Sequence, residues 1–208
     1  MEPLDLDPDG YGGTYKLVGG ESSLDFINTV SWPDREREHD WFGVVTNVTL
    51  WAEELGLIDE QTRRRLDRLF PHGSKRAVHQ LKAIRNLRRT LRAVIAPLAH
   101  GDRPSLRSVE DFNALLARAS RDRQVDPESL QWTWVAPKDL VQVFTPVIWN
   151  AADVVTSVDR RRLRYCPTCD WLFHDTTRNA SRRWCDMTDC GSRDKALRYY
   201  HRHKANLS

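Results

Sequence analysis

Apolar residues recur at every third or fourth position through most of the first 159 residues, which is the period of an amphipathic helix. The longest such stretch runs from Ala77 to Leu98, and Pro97 is expected to bend this helix near its end. A second long stretch runs from Leu140 to Val155, where Pro146 either kinks the helix or marks its beginning. The pattern therefore predicts a mainly α protein.

A short helix and one short extended segment are predicted around these long helices. The pattern Ser22-x-x-Asp25 is typical of a helix start, and Trp32-Pro33 is expected to close this helix. The sequence QWTWV, rich in tryptophan and β-branched residues, is either a short strand or an extended loop.

Capping and stop residues define three further helices. The segment TNVTLWAEELGLID is expected to be helical as far as Gly56, and Asp59 is a suitable N-cap for the following EQTRRRLDRLF. Another helix is predicted over about Val109 to Ala119. The first 159 residues are thus predicted to form a helical domain with a minor β element.

Length and composition are those of a globular protein. The chain has 208 residues, of which 40% are hydrophobic and 29% charged, enough for one substantial domain and a smaller one. The N-terminus lacks a basic region followed by an apolar run, and no stretch of about 18 apolar residues occurs. We therefore expect a cytoplasmic protein that does not enter a membrane.

The four cysteines lie close together near the C-terminus. Cys166 and Cys169 form a Cys-x2-Cys pair, and Cys185 and Cys190 form a Cys-x4-Cys pair fifteen residues later. In a reducing cytoplasm this spacing favours a metal site over disulfides, and two such pairs are typical of tetrahedral zinc. Four thiolates leave no coordination position for a catalytic water, so we predict one structural zinc ion and no enzyme activity.

Other uses of these cysteines explain less of the pattern. A thioredoxin-like site would leave Cys185 and Cys190 without a role, and a zinc deaminase needs a His-x-Glu motif that the sequence lacks. His174, His201 and His203 could replace a cysteine ligand, but solvent-facing or phosphate-contacting histidines are the simpler interpretation.

Charge is distributed unevenly along the chain. Residues 160–208 carry a net charge of +7, whereas residues 1–159 carry −4. A zinc ion with four thiolates contributes about −2, so the C-terminal region stays basic. Such asymmetry is typical of a nucleic-acid-binding unit on a slightly acidic body.

The sequence after Cys190 predicts a final helix with two faces. Gly191 and Ser192 are expected to provide its turn and N-cap. One face, with Ala196, Leu197 and Tyr200, should pack on the zinc site, and Arg193 is expected on this inner side. The opposite face and the loop before Cys185 supply the predicted DNA-contacting residues, namely Arg178, Arg182, Arg183, Lys195, Arg198 and Arg202.

About forty residues of this region resemble the CGNR zinc finger. The matching elements are Cys166 and Cys169, Trp171-Leu172-Phe173 with Asp175, Arg182-Arg183-Trp184-Cys185, and Cys190-Gly191-Ser192-Arg193. Ser192 replaces the Asn of the family pattern. The resemblance implies a zinc finger bound by Cys166, Cys169, Cys185 and Cys190.

The N-terminal region is similar to the ABATE domain that commonly accompanies this finger. The similarity lies in Gly20 followed by the sequence LDF-x-NT from Leu24 to Thr29. Proteins of this kind are regarded as stress-related bacterial transcription regulators, and the resemblance implies the same role here.

A regulator with no other input domain needs a ligand pocket within its helices. The candidate polar groups are Asp25, Asn28, Thr29, Arg85, Arg88 and Arg89. The competing interpretation is that Asp25 caps a helix or pairs with an arginine, and that the arginines form a solvated face.

Two classes of function follow from these features. In the first, residues 1–159 form a domain that senses a small ligand or forms a homodimer, and residues 160–208 bind double-stranded DNA. In the second, the zinc module binds RNA or a protein partner, or releases zinc when its thiols are oxidised. We further expect Cys169→Ser to unfold the chain beyond about residue 160 while the helical body persists.

Overall fold

Helices make up most of the chain in the structure, a computed structural model. It describes residues 2–31 and 38–205, apart from the side chains of residues 201, 202, 204 and 205. The helices of the described part are α1 Ser22–Ile27, α2 Val45–Glu54, α3 Glu60–Leu69, α4 Lys75–Ala99, α5 Leu106–Ala119, α6 Thr145–Ser157 and α7 Ser192–Ala205. The predicted mainly α class is confirmed.

Six short strands in the described residues form three antiparallel pairs. These are β1 Val30–Ser31 with β2 His39–Asp40, β3 Arg123–Val125 with β4 Trp132–Trp134, and β5 Leu163–Tyr165 with β6 Leu172–His174. The QWTWV segment is therefore a strand, because β4 pairs with β3 over its whole length. Short 3-10 turns, Ser120–Asp122, Gln142–Phe144 and Arg160–Arg162, connect several of these elements.

The predicted caps account for most helix boundaries. The Asp59 carboxylate accepts a hydrogen bond from the Thr62 amide at 2.7 Å and begins α3, and Gly56 ends the turn after α2 with φ of 67°. Pro146 lies in the first turn of α6, where its missing N–H costs nothing, so this helix begins at the proline. Pro97 lies in the last turn of α4.

The predicted capping role of Ser22 and Asp25 is wrong. Glu21 occupies the N-cap position of α1 without a side-chain hydrogen bond, and the Asp25 carboxylate instead accepts a hydrogen bond from the Gly19 amide at 2.7 Å. The predicted end of this helix at Trp32-Pro33 lies outside the described residues.

The short helix α1 is at the centre of the molecule. It packs against α4, α6 and β6, and its Phe26 ring lies 4.5 Å from Phe144 and 6.1 Å from both Phe42 and Trp51. The same cluster of buried side chains continues into the C-terminal region through Leu172 and Phe173. The body and the cysteine-rich region thus share one hydrophobic core.

Candidate metal centre and nucleic-acid interface

The first cysteine pair lies in the tight turn between β5 and β6. The Cys166 amide donates to the Trp171 carbonyl at 2.8 Å, and the Asp170 amide donates to the Cys166 carbonyl at 3.0 Å. Asp170 adopts φ of 62°, a left-handed conformation that aspartate tolerates better than most residues. The hairpin thereby directs both thiols to one side of the turn.

The second pair is held by a turn that Asp186 caps. Its side chain accepts hydrogen bonds from the Thr188 and Asp189 amides at 2.7 and 3.2 Å. Met187–Gly191 then forms a single π-helical turn that carries Cys190 and continues directly into α7. Ser192 is therefore not the side-chain cap that the sequence predicted, because the turn before it already supplies the helical backbone.

The four thiols converge as zinc ligands do. Their sulfur atoms all lie within 4.8 Å of one another, with 3.4 Å between Cys169 and Cys185 and 3.6 Å between Cys185 and Cys190. All four residues are buried and none forms a disulfide. Tetrahedral zinc with Zn–S bonds of about 2.3 Å places its sulfur atoms about 3.8 Å apart, so the cluster can hold one zinc ion.

The thiols need a cation to ionise together. Hydrogen bonds from the other three thiols lower the pKa of Cys166, and hydrogen bonding to Cys166 raises the pKa of both Cys169 and Cys185. Deprotonation of Cys166 is thus favoured, and deprotonation of Cys169 and Cys185 is disfavoured. A divalent ion removes this competition, because it stabilises all four deprotonated sulfurs at once.

The described histidines do not take part in the cluster. His174 is mostly buried, and its Nδ1 lies 2.9 Å from a Glu21 carboxylate oxygen. The His203 ring lies 4.1 Å from the Tyr199 ring at an interplanar angle of 56°, and the side chain of His201 lies outside the described atoms. In the described part of the chain, the four cysteines form the one group of three or more metal-binding side chains close enough to share an ion.

The N-terminal motif holds the zinc hairpin against the body. The Asn28 side chain donates to the Leu172 carbonyl at 2.8 Å and accepts from the Leu172 amide at 2.9 Å, so it pairs with β6 as a neighbouring strand would. The Trp171 indole donates to the Val30 carbonyl at 2.9 Å. Asn28 is buried, and both its amide nitrogen and its oxygen take part in this pairing, so it does not face a ligand site.

Gly20 and Asp25 complete this contact. The Gly19 carbonyl accepts from the His174 amide at 2.7 Å, and a Cβ on Gly20, which has φ of 79°, would lie 3.2 Å from the His174 carbonyl oxygen. Only glycine suits this position. Burial raises the pKa of Asp25 to about 7, although hydrogen bonds from the Gly19 and Val18 amides lower it.

Thr29 and Arg88 form a second buried polar group. The Arg88 guanidinium donates to the Thr29 hydroxyl at 2.7 Å and makes two bonds to the Asp40 carboxylate at 2.7 and 2.8 Å. Burial would raise the pKa of Asp40, but its hydrogen bonds and charge interaction with Arg88 hold it below the usual value. Arg85 also binds Asp40, at 2.8 Å, whereas Arg89 contacts Asn86 on the exposed side of α4.

The predicted pocket residues therefore separate into two sets. Asp25, Asn28 and Thr29 are buried in the contact with the zinc hairpin or in the core. Arg85, Arg88 and Arg89 line an open groove of about 500 Å³ beside α4. Of the two tryptophans considered with this pocket, Trp51 is fully buried, and the Trp149 ring packs on the Arg123 guanidinium at 4.7 Å.

Arg182 differs from the other arginines predicted to contact DNA. Its guanidinium donates to the carbonyls of Val18 at 2.7 Å, Trp184 at 3.1 Å and Cys185, and it lies over the Phe173 ring. These contacts tie the zinc loop to the N-terminal segment. Arg182 thus has a structural role in the finger, and its contact with DNA stays a prediction.

The other predicted cations are on the surface. Arg178, Arg183, Lys195 and Arg198 are all exposed. The Arg183 and Arg198 guanidinium carbons lie 5.1 and 5.9 Å from the Trp184 ring, and Arg198 also binds Asp194. The side chain of Arg202 lies outside the described atoms.

Two arginines that the sequence interpretation missed brace the finger. Arg162 donates to the carbonyls of Asp175 and Thr177 at 3.0 and 2.7 Å, and Arg164 donates to the Ala180 carbonyl at 3.0 Å. Their targets are backbone carbonyls 13 to 16 residues further along the chain, so the local sequence pattern does not identify them.

The prediction that Leu197 and Tyr200 of α7 pack on the zinc site is wrong, since these side chains are 52% and 61% exposed. None of the described side chains of this helix is buried. Arg193 lies on the inner side as predicted, because its guanidinium binds, at 3.1 Å, the carboxylate of Asp189 in the turn that carries Cys190. Beyond this first turn, the helix projects from the metal centre.

The fold and the cysteine cluster define a class of protein, a zinc-finger protein with a helical body. Comparison with known families agrees, since residues 162–203 match the CGNR zinc finger. Residues 20–158, more than half of the chain, match the ABATE family, described as "Putative stress-induced transcription regulator". The chain belongs to the ABATE family. Among curated proteins, none matches the chain significantly.

These matches describe a regulatory zinc-finger protein and do not name an enzyme family. The matched finger and the buried cysteines agree on a single zinc ion as the cofactor. Within the described residues, the helices are too short or too polar for any of them to span a membrane.

Proposed function

We propose that this protein is a transcription regulator that binds double-stranded DNA through its C-terminal zinc finger. The observation that carries the proposal is the exposure of α7, which projects from the metal centre with cations and apolar side chains uncovered. A helix with no buried face gains little stability from packing, so we expect a partner surface to cover it. Its Lys195 and Arg198 suit the phosphates of DNA.

The loop before Cys185 extends this surface. Arg178 and Arg183 are exposed there, and Arg183 and Arg198 both lie within cation–π distance of the Trp184 ring. The aromatic ring thus links the loop cations to α7. We include Arg178, Arg183, Lys195, Arg198 and Arg202 in the DNA-binding surface and exclude Arg182.

The helical body is the proposed sensor or dimerisation domain. Residues 1–159 supply the groove beside α4, and they hold the zinc hairpin through Asn28, so a change in the body has a direct route to residues 160–208. A homodimer would place two fingers on one DNA site, which is the usual arrangement of bacterial regulators with two-fold operators.

Duplex binding tests this proposal. Affinity of the zinc-loaded protein for a DNA pool is measured by fluorescence anisotropy at several salt concentrations, and a sequence is then selected from the pool. Lys195→Ala and Arg183→Ala should each flatten the slope of log affinity against log salt by about 0.9. Arg107→Ala, on the exposed face of α5, is the matched control and should leave the slope unchanged.

The Arg182→Ala variant tests whether Arg182 stabilises the finger or contacts DNA. It should lower the thermal stability of the finger while the salt slope of the folded protein stays the same, because its guanidinium contacts backbone carbonyls. The absence of duplex binding, together with capture of single-stranded RNA or zinc release by mild oxidant, would favour the alternative class of function.

A further inference from the structure

A groove of about 500 Å³ runs between α4 and the segment formed by α1, β1 and β2. This volume is within the range of small-molecule sites. Its floor is apolar, formed by Ile27 and Val30, and its rim is strongly cationic. Among the described residues, its two carboxylates, Glu38 and Asp40, face five cations, Lys82, Arg85, Arg88, Arg89 and Arg92.

Part of this charge is fixed by the fold. Asp40 binds both Arg85 and Arg88, with Arg88 buried at one end of the groove. Two guanidinium groups on one carboxylate keep a positive charge in place and hold both side chains in defined positions. Lys82 and Arg89, exposed on α4, extend the positive rim. The groove therefore combines a preorganised cationic wall with an apolar floor.

We propose that this groove binds a small organic anion, with its carboxylate or phosphate group against Lys82, Arg85 and Arg89 and its apolar part on Ile27 and Val30. The proposal rests on the ligand-sensing role assigned above to the body, and it names the site and the ligand class. Arginine and lysine make charge-assisted hydrogen bonds to such anions, and the floor excludes water from the apolar part.

The floor of the groove also holds the zinc finger. Asn28, between the two floor residues, pairs with the backbone of Leu172, and the Val30 carbonyl accepts the Trp171 indole N–H. Arg88 reaches the same segment through Thr29. A ligand that contacts this floor therefore acts on the segment that positions β6, which couples the groove to the finger through one short piece of backbone.

The test uses 1-anilinonaphthalene-8-sulfonate, an aromatic anion whose fluorescence rises in apolar surroundings. Its affinity for the zinc-loaded full chain is measured for the wild type, Lys82→Ala and Arg89→Ala. Each variant should bind about tenfold more weakly, as expected for loss of one charge-assisted contact. Arg118→Ala, an exposed arginine in a separate groove between α4, α5 and α6, is the matched control and should bind as the wild type does. Thermal unfolding confirms that all variants are folded.

Two results would overturn the proposal. One is no binding by the wild type, or equal binding by wild type, Lys82→Ala and Arg89→Ala. The other is a flattened salt slope for duplex DNA in the Lys82 and Arg89 variants, which would assign the groove to the DNA surface. Dye binding is measured without DNA. The test of the groove therefore remains valid even if the protein does not bind duplex DNA.

Discussion

The charge of Asp25 depends strongly on the fold. Burial raises its pKa from 3.8 to about 7. At pH values between these two, the carboxyl group is protonated in the folded state and ionised in the unfolded state. Its contribution to the free energy of unfolding is greatest below about pH 4 and is lost as the pH rises through about 7. A shift of this size corresponds to at most about 4 kcal/mol.

Asp25→Asn should remove this dependence while keeping an acceptor for the Gly19 amide. We expect the stability difference between variant and wild type to grow in favour of the variant from pH 5.5 to pH 8, measured by urea unfolding with zinc present. Zinc binding also depends on pH, but it affects both proteins equally. Parallel pH profiles for the two proteins would show that Asp25 is ionised throughout this range.

For single residues, some roles can be predicted from the sequence and others cannot. The spacing of four cysteines identified the metal ligands because each pair lies within one local turn. The roles of Asn28 and Arg182 depend on partners 144 and 164 residues away along the chain, and they follow only from the tertiary contacts. The sequence therefore suggests ligand binding for Asn28 and DNA contact for Arg182, and it does not show that both residues hold the finger on the body.

At the scale of elements, periodicity succeeded where a helix has a core to face. The apolar spacing in α4 corresponds to its buried side, since Leu81, Ile84 and Leu91 are all in the core. The same reasoning failed for Leu197 and Tyr200 of α7, which are 52% and 61% exposed. A periodic pattern gives the relative direction of side chains, but it does not show that a partner exists.

The exposure of α7 leads to a prediction about truncation. A chain that ends after Asp194 retains all four cysteines and the turn that carries Cys190, and every described side chain that it loses is exposed. We expect it to bind about one zinc ion and to unfold within a few degrees of the full chain. Its affinity for duplex DNA should fall to the level of a Lys195→Ala, Arg198→Ala double variant or below.

Zinc analysis, thermal unfolding and anisotropy measure these three properties separately. A large loss of thermal stability on truncation would indicate that α7 packs on the body in solution. Unchanged DNA affinity would instead remove α7 from the proposed interface and leave the loop with Arg178 and Arg183 as the contact.

At the scale of the whole molecule, the sequence suggested two separable parts with a boundary near residue 160. That boundary stays a prediction, and the structure adds a contact across it, because Leu172 and Phe173 of the zinc hairpin are buried in the same core as α1. The hydrogen bonds from Asn28 and Trp171 cross the same boundary. Zinc-dependent folding, on the order of 10 to 16 kcal/mol in small fingers, is therefore coupled to part of the helical body.

Cys169→Ser should accordingly disturb more than the finger. Hydrogen exchange should accelerate at the β5–β6 hairpin and also in α1 and β1, since β6 packs on α1 and the hairpin bonds to Asn28 and to the Val30 carbonyl beside them. Amides of α3, which packs against α2 at the other side of the body, should keep their protection and serve as the internal control. Chelation of zinc from the wild type should give the same pattern. A different result is that the hairpin loses protection while α1 and β1 exchange as in the zinc-loaded protein. The finger and the body would then fold independently. A ligand in the groove beside α4 would have no route through this segment to the DNA-binding surface.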